Sequence, residues 1–140
     1  MTLYLDTSAL VKLLVAEEGS DAVRDAAERA QALATSHLTW VEVHSALARM
    51  LAGSRLTRRV HARQLAAFAA LWDDLAVVPV DEPVVARAAQ LAQRHTLRGF
   101  DALQLAAAVE LLPAGEISFA CWDERLNVAA ARERLALIDL

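Results

Sequence analysis

The sequence predicts an α/β fold in three layers, α/β/α, with a mainly parallel central sheet. Three observations predict it. Short runs rich in valine, leucine and isoleucine alternate with longer segments that carry helical periodicity. Strands separated by helices need crossovers, which makes their sheet parallel and puts helices on both of its faces. Acids stand just beyond several of the apolar runs, where open α/β sheets hold their ligands.

The elements follow in order. Met1 to Leu5 reads as a short buried strand that ends on Asp6, with the Thr7 and Ser8 hydroxyls beside it. Ser8 to Val15 is a helix, apolar at Leu10, Val11, Leu14 and Val15. Gly19-Ser20-Asp21 breaks and re-caps the chain, and a second helix runs from about Asp21 to Ala32. Leu33 to Thr35 is a strand. Thr39-Trp40-Val41-Glu42 opens a helix that reaches Ala52 and stops at Gly53. Thr57 caps a long helix to about Leu75, and Ala76 to Val80 is a valine-rich strand. Pro83 sits in the first turn of a helix ending at His95, where its missing N–H is harmless. Arg98-Gly99-Phe100-Asp101 is a turn into the helix Ala102 to Leu112, which Pro113 ends. Ile117 to Trp122 is a strand closed by Asp123, a short helix follows, and Leu135 to Leu140 is the last strand.

Composition narrows the function classes. The 140 residues, 56% hydrophobic and 23% charged, fit one globular domain over residues 1–140 with no linker or low-complexity tract. No uncharged apolar run approaches the roughly 18 residues that span a bilayer, and Asp6 interrupts what would be a signal-peptide core, so no membrane role is expected. One cysteine, Cys121, excludes an internal disulfide and a cysteine zinc cluster, and suits a cytoplasmic location. His37, His44, His61 and His95 show no metal-binding spacing, and neither a dinucleotide fingerprint nor a Walker pattern is present.

Four carboxylates recur at comparable junctions: Asp6, Glu42, Asp101 and Asp123. Each has a purely structural reading. Asp6 and Asp123 can cap the helices that follow them. Asp101 reads as a cap with Gln104 at the third helical position and Phe100 and Leu105 as a staple. Thr39-x-x-Glu42 reads as a capping box with Leu38 and Val43 as its staple. In a parallel sheet, however, all four can point into one crevice. Clustered carboxylates raise one another's pKa and need a cation. An all-oxygen donor set selects a hard ion, Mg²⁺ or Mn²⁺. Such ions bridge carboxylates and phosphate oxygens, which suits phosphodiester hydrolysis.

Four segments then resemble the PIN domain over essentially the whole chain, most closely the VapC-type toxins of bacterial toxin–antitoxin pairs. They are Leu5-Asp6-Thr7-Ser8-Ala9-Leu10-Val11-Lys12, Trp40-Val41-Glu42-Val43, Leu97-Arg98-Gly99-Phe100-Asp101-Ala102-Leu103-Gln104-Leu105-Ala106 and Cys121-Trp122-Asp123. The resemblance implies a Mg²⁺-dependent endoribonuclease that forms a homodimer and is held inactive by a cognate antitoxin. It implies Asp6 and Asp101 as core metal ligands, completed by Glu42 and Asp123, with Ser8 orienting ligands or water. Asn127 stands one turn after Asp123 where a further acid would support a second ion.

The formal charge of −4 is unusual for an RNA-binding surface. Setting aside the four acids brings it to zero, and a bound divalent ion lets arginine meet phosphate. Arg98, beside Asp101, is the candidate RNA contact, while the basic run Arg55 to Arg63 reads as a solvated helix face. Trp40, Trp72 and Trp122 read as packing residues. The high alanine and apolar content suggests an uncovered patch that a second copy would cover, and the resemblance implies a groove for an amphipathic antitoxin helix. Two rival readings are a non-catalytic PIN-like module that binds RNA or protein, and a Mg²⁺-dependent phosphatase. The second lacks its D-x-D opening, because Ser8 takes the third place.

Overall fold

The computed structural model describes residues 1–138. Its strands are β1 (Thr2–Leu5), β2 (Ala32–Ser36), β3 (Ala76–Val78), β4 (Ile117–Ala120) and β5 (Ala136–Leu137). They form one sheet in the order β3-β2-β1-β4-β5, and every neighbouring pair is parallel. The last expected strand is seen as β5; residues 139 and 140 lie outside the described residues.

Seven α-helices accompany the sheet among the described residues: α1 (Thr7–Leu14), α2 (Ser20–Arg29), α3 (Leu38–Ala52), α4 (Arg58–Asp73), α5 (Glu82–His95), α6 (Gly99–Glu110) and α7 (Glu124–Arg132). Period-two alternation in the strands splits the core in two. Tyr4 faces one side of β1 and packs with Phe119 and with α5, α6 and α7. Leu3 and Leu5 face the other side and pack with α1 to α4 through Leu10, Val23, Leu47 and Phe68. The result is three layers, with β1, buried from Leu3 to Leu5, at the centre.

Local chemistry explains most boundaries. Thr57 accepts a hydrogen bond from Val60 N at 3.2 Å and Asp81 one from Val84 N at 3.2 Å, so both cap their helices. Gly19 has φ +92, and a Cβ there would stand 2.6 Å from the Trp122 indole, so only glycine fits this turn.

Two expected caps are corrected. Helix α6 begins at Gly99, not Ala102, and its N-cap is Arg98, which makes no side-chain cap bond. Asp101 therefore lies inside the first turn. Glycine is tolerated at the first helical position because its N–H has no intrahelical partner there anyway. The expected Phe100–Leu105 staple is absent, since Phe100 is 63% exposed while Leu105 is buried. Helix α3 likewise begins at Leu38, with His37 at the N-cap. Ser36 Oγ accepts from Leu38 N at 3.1 Å, which leaves Thr39 buried and its hydroxyl free for other partners. No Thr39–Glu42 capping box forms.

The chain runs from β1 outward to β2 and β3, then returns to place β4 and β5 on the far side of β1. The strand order thus reverses between β1 and β4. A crevice opens at the carboxyl ends of strands at such a point.

Candidate active site

Asp6 follows β1 directly and Asp123 stands three residues beyond β4, on the two sides of that crevice. Backbone bonds hold the two strand ends together: Asp6 N donates to Ala120 O at 3.2 Å. Ser8 Oγ donates to Asp6 Oδ1 at 2.7 Å and accepts from Trp122 N at 3.3 Å, stitching α1 to the end of β4.

Asp6 and Asp123 also cap their helices as expected. Asp6 Oδ1 accepts from Ala9 N at 2.9 Å, and Asp123 Oδ1 from Leu126 N at 3.0 Å. Capping and a place in the cleft coexist in both residues. Glu42 arrives from the first turns of α3, and Asp101 from the first turn of α6.

All four acids line a single cleft of about 510 Å³, together with Ser8, Lys12, Arg49, Gln104 and Trp122. They share this cleft without forming a closed cage: among the described residues, no three carboxylates, imidazoles or thiols converge enough to hold an ion. Arg98 is not among the cleft residues, although its charge acts on Asp101. Asn127 is accounted for locally, since its amide donates to Cys121 O at 2.9 Å and ties α7 to the end of β4.

One residue of the cleft reads in the sequence only as part of a helix start. Gln104 sits on an otherwise apolar face of α6, is almost fully buried, and is the hub of the site. Its Oε1 accepts from the Tyr4 hydroxyl at 2.6 Å. Its Nε2 lies 2.9 Å from Glu42 Oε1, 3.0 Å from Thr39 Oγ1 and 3.2 Å from Thr7 Oγ1. Thr7 Oγ1 also donates to Glu42 Oε1 at 2.6 Å. The Thr35 and Thr39 hydroxyls lie 2.8 Å apart, and Thr35 reaches Leu5 O at 2.7 Å. A lone glutamine within Ala-Leu-Gln-Leu-Ala-Ala-Ala was the available signal.

Electrostatics link the acids. Burial pushes the Asp6 carboxyl up; hydrogen bonds from Ala9, Ser8 and Cys121 pull it down, and Glu42 adds to the rise. Burial raises Asp101 as well, helped by Asp123 and Glu42 and opposed by Arg98. Tyr4 is raised by burial and then by Asp6 and Glu42. The donors are all hard oxygens, and two of them are uncomfortable as anions, so their chemistry suits a divalent cation such as Mg²⁺, although as placed no three of them converge on one point.

Linkage turns these shifts into a test. An acid whose pKa is raised by folding binds its proton more tightly in the folded state. The stability it contributes is complete below the ordinary carboxylate range and is lost as pH rises through the raised folded value. Metal-free protein should therefore melt higher at about pH 5 than at about pH 7. Glu133 is lowered despite its burial, by His95 and Arg94, and opposes this only at more acid pH. If these carboxylates hold Mg²⁺, excess ion should remove or reverse the slope, because it would bind their ionised form. Melting curves in EDTA and in Mg²⁺ check both; a melting temperature in EDTA that rises between these two pH values would contradict the linkage.

Comparison with known proteins agrees with this architecture. Residues 3–112 match the family model described as the PIN domain. Ribonuclease VapC49 of Mycobacterium tuberculosis is 35% identical over 127 residues, covering 91% of this chain and 88% of its own. Ribonuclease VapC47 of the same organism is 35% identical over 128 residues, covering 89% and 86%. FitAcB of Neisseria gonorrhoeae shares the fold with a TM-score of 0.72 at 20% identity, over 98% of this chain and 96% of that one. VapBC-5 of M. tuberculosis, a toxin–antitoxin family member, superposes with a TM-score of 0.64 at 17% identity, over 99% and 98%. The chain belongs to the PIN-domain family and, within it, to the group of the VapC ribonucleases.

Proposed function

We propose that this protein is a Mg²⁺-dependent endoribonuclease, the toxin of a toxin–antitoxin pair, and that Asp6, Glu42, Asp101 and Asp123 form its metal site. One observation carries the reading. Four carboxylates from four separate elements line one cleft at the strand-order reversal. The names of the VapC ribonucleases supply the substrate class.

The four acids would hold the ion, with Mn²⁺ as an alternative, and the ion when bound supplies activated water and charge neutralisation at the phosphate. The protein's own groups set the geometry. Ser8 and Ala9 N fix one oxygen of Asp6, while Thr7 and Gln104 fix one oxygen of Glu42. Among the described residues the second oxygen of Glu42 has no protein hydrogen bond, which leaves it for a ligand. No covalent intermediate is part of this proposal: water would be the nucleophile, and burial, with Asp6 next, pushes the Cys121 thiol up, away from the thiolate form.

A cognate antitoxin and a homodimer belong to this proposal. VapBC-5 and the Klebsiella pneumoniae toxin–antitoxin complex, which share the fold, support the first. An apolar furrow between α7 and β5, at Val128, Ala131 and Leu137, offers surface for such contacts. Among the described residues no helix is long and apolar enough to cross a membrane.

Removing the metal tests the reading. Purified protein should cut single-stranded RNA in Mg²⁺, stop on addition of EDTA and resume when excess Mg²⁺ is restored. RNA binding without cleavage under all three conditions would favour a non-catalytic module. Hydrolysis of small phosphate esters alone would favour a phosphatase.

A further inference from the structure

A second depression of about 440 Å³ adjoins the acid cleft and shares Thr7, Glu42 and Arg49 with it. Its remaining walls are Leu38, Val41, Ser45 and Phe100. The size falls within the roughly 300–1,000 Å³ range of small-ligand sites.

Charge decides what this groove can hold. Two cations line the acid cleft, Lys12 and Arg49. Lys12 is already committed: its Nζ lies 3.0 Å from Glu17 Oε1 and 4.9 Å from the centre of the Trp122 ring. Arg49 meets no carboxylate at ion-pair distance among the described residues. Its Nη1 donates to Ser45 Oγ at 2.6 Å, one turn back on α3, which orients the guanidinium and leaves its other donors available. The same groove presents Phe100 at 63% exposure and Val41 at 60%. A free guanidinium beside an exposed ring and an aliphatic wall matches a phosphate joined to a planar base.

We propose that this groove binds the nucleotide next to the scissile phosphate, with Arg49 on its backbone phosphate and Phe100 against its base. The proposal rests on the ribonuclease reading of the adjoining cleft. It makes Arg49, rather than Arg98, the principal phosphate contact. Stacking on one phenyl ring accepts any base, so the groove adds affinity with little sequence preference.

Cleavage kinetics on a single-stranded RNA oligonucleotide in Mg²⁺ provide the test. Arg49→Ala should raise KM about tenfold, the size of one charge-assisted contact, while kcat stays within about threefold. Arg49→Lys should fall between, because a point charge cannot meet phosphate bidentately. In EDTA, where RNA binds uncut, Arg49→Ala should reduce the slope of log affinity against log salt by about 0.7, one phosphate on a single strand. Arg24, exposed and paired with Asp21 on α2, serves as the charge control, and Arg24→Ala should move neither quantity. Phe100→Ala should raise KM about tenfold and Phe100→Tyr should restore it. The Phe100→Ala loss should vanish on an oligonucleotide that is abasic at the flanking position.

The outcomes separate the two readings. Wild-type protein that cuts no RNA overturns the ribonuclease proposal and the groove with it. Wild-type cleavage with Arg49→Ala and Arg24→Ala indistinguishable overturns the groove alone. If light scattering shows that Phe100→Ala changes the oligomeric state, Phe100 belongs to a contact between copies and the base assignment fails.

Discussion

Asp101→Asn should abolish RNA cleavage, by at least about a hundredfold or 2.7 kcal/mol of barrier, while the metal-free protein keeps its stability. An amide lacks the anionic charge that a hard cation needs. The fold tolerates the change because Asp101 does not cap its helix; Arg98 holds the N-cap position. Small effects of opposite sign meet in the mutant. The carboxylate's attractions to the helix N-terminus, about 0.3–1 kcal/mol, and to Arg98 are lost. The cost of burying the charge and the repulsion from Asp123 and Glu42 are relieved. Metal-free wild type and mutant should therefore unfold within about 1 kcal/mol of each other. The rise in melting temperature on adding Mg²⁺ should shrink, since less binding energy stabilises the native state. Cleavage at the wild-type rate together with an undiminished Mg²⁺ shift would remove Asp101 from the metal site.

Gln104→Leu should damage both catalysis and stability, through separable partners. Leucine has nearly the same bulk, so the loss is one of hydrogen bonds. The Tyr4 hydroxyl, completely buried, is left without its acceptor, which costs about 1–3 kcal/mol in urea unfolding. Glu42 loses the amide that fixes its Oε1. Residues that orient metal ligands typically contribute about 10–100-fold, and kcat should fall by that much. Tyr4→Phe in the Gln104→Leu background should recover much of the stability, because both polar partners are then gone. It should recover none of the activity. In a Glu42→Gln background, Gln104→Leu should add little to the loss of kcat. Full additivity in that cycle would show that Gln104 does not act through Glu42.

The order and type of the elements were legible in the sequence because each segment buries one periodic face, and that pattern is local. Thr57, Asp81, Asp6 and Asp123 are caps of the same local kind: each bonds a backbone N–H three residues on. The two capping errors arose where tertiary partners won over local ones. Thr39 turns its hydroxyl towards Thr35 and Gln104, and Ser36 satisfies the start of α3 in its place. Gln104 was invisible as a hub because its partner Tyr4 is 100 residues away. Arg98 is adjacent to Asp101 in the chain, whereas Arg49 shares the cleft with Glu42 in space. A spacing of seven residues on α3 places Arg49 two turns from Glu42 on the same helix face. That spacing is a sequence signal, but it gains meaning only once Glu42 is placed in the cleft.

The central position of β1 has a consequence for how the protein is born. β1 is flanked by β2 and β4, so its later neighbour is not synthesised until residues 117–120. On the proposed site, three of the four acids are already translated by residue 101, yet the crevice has only one wall until β4 and Asp123 arrive. Contacts this distant along the chain also form slowly. A nascent chain that stops short of Asp123 should therefore be harmless to the message that encodes it, and truncated products of stalled translation should be inert. On the proposed site, the strand order itself delays activity until residue 123 has been made.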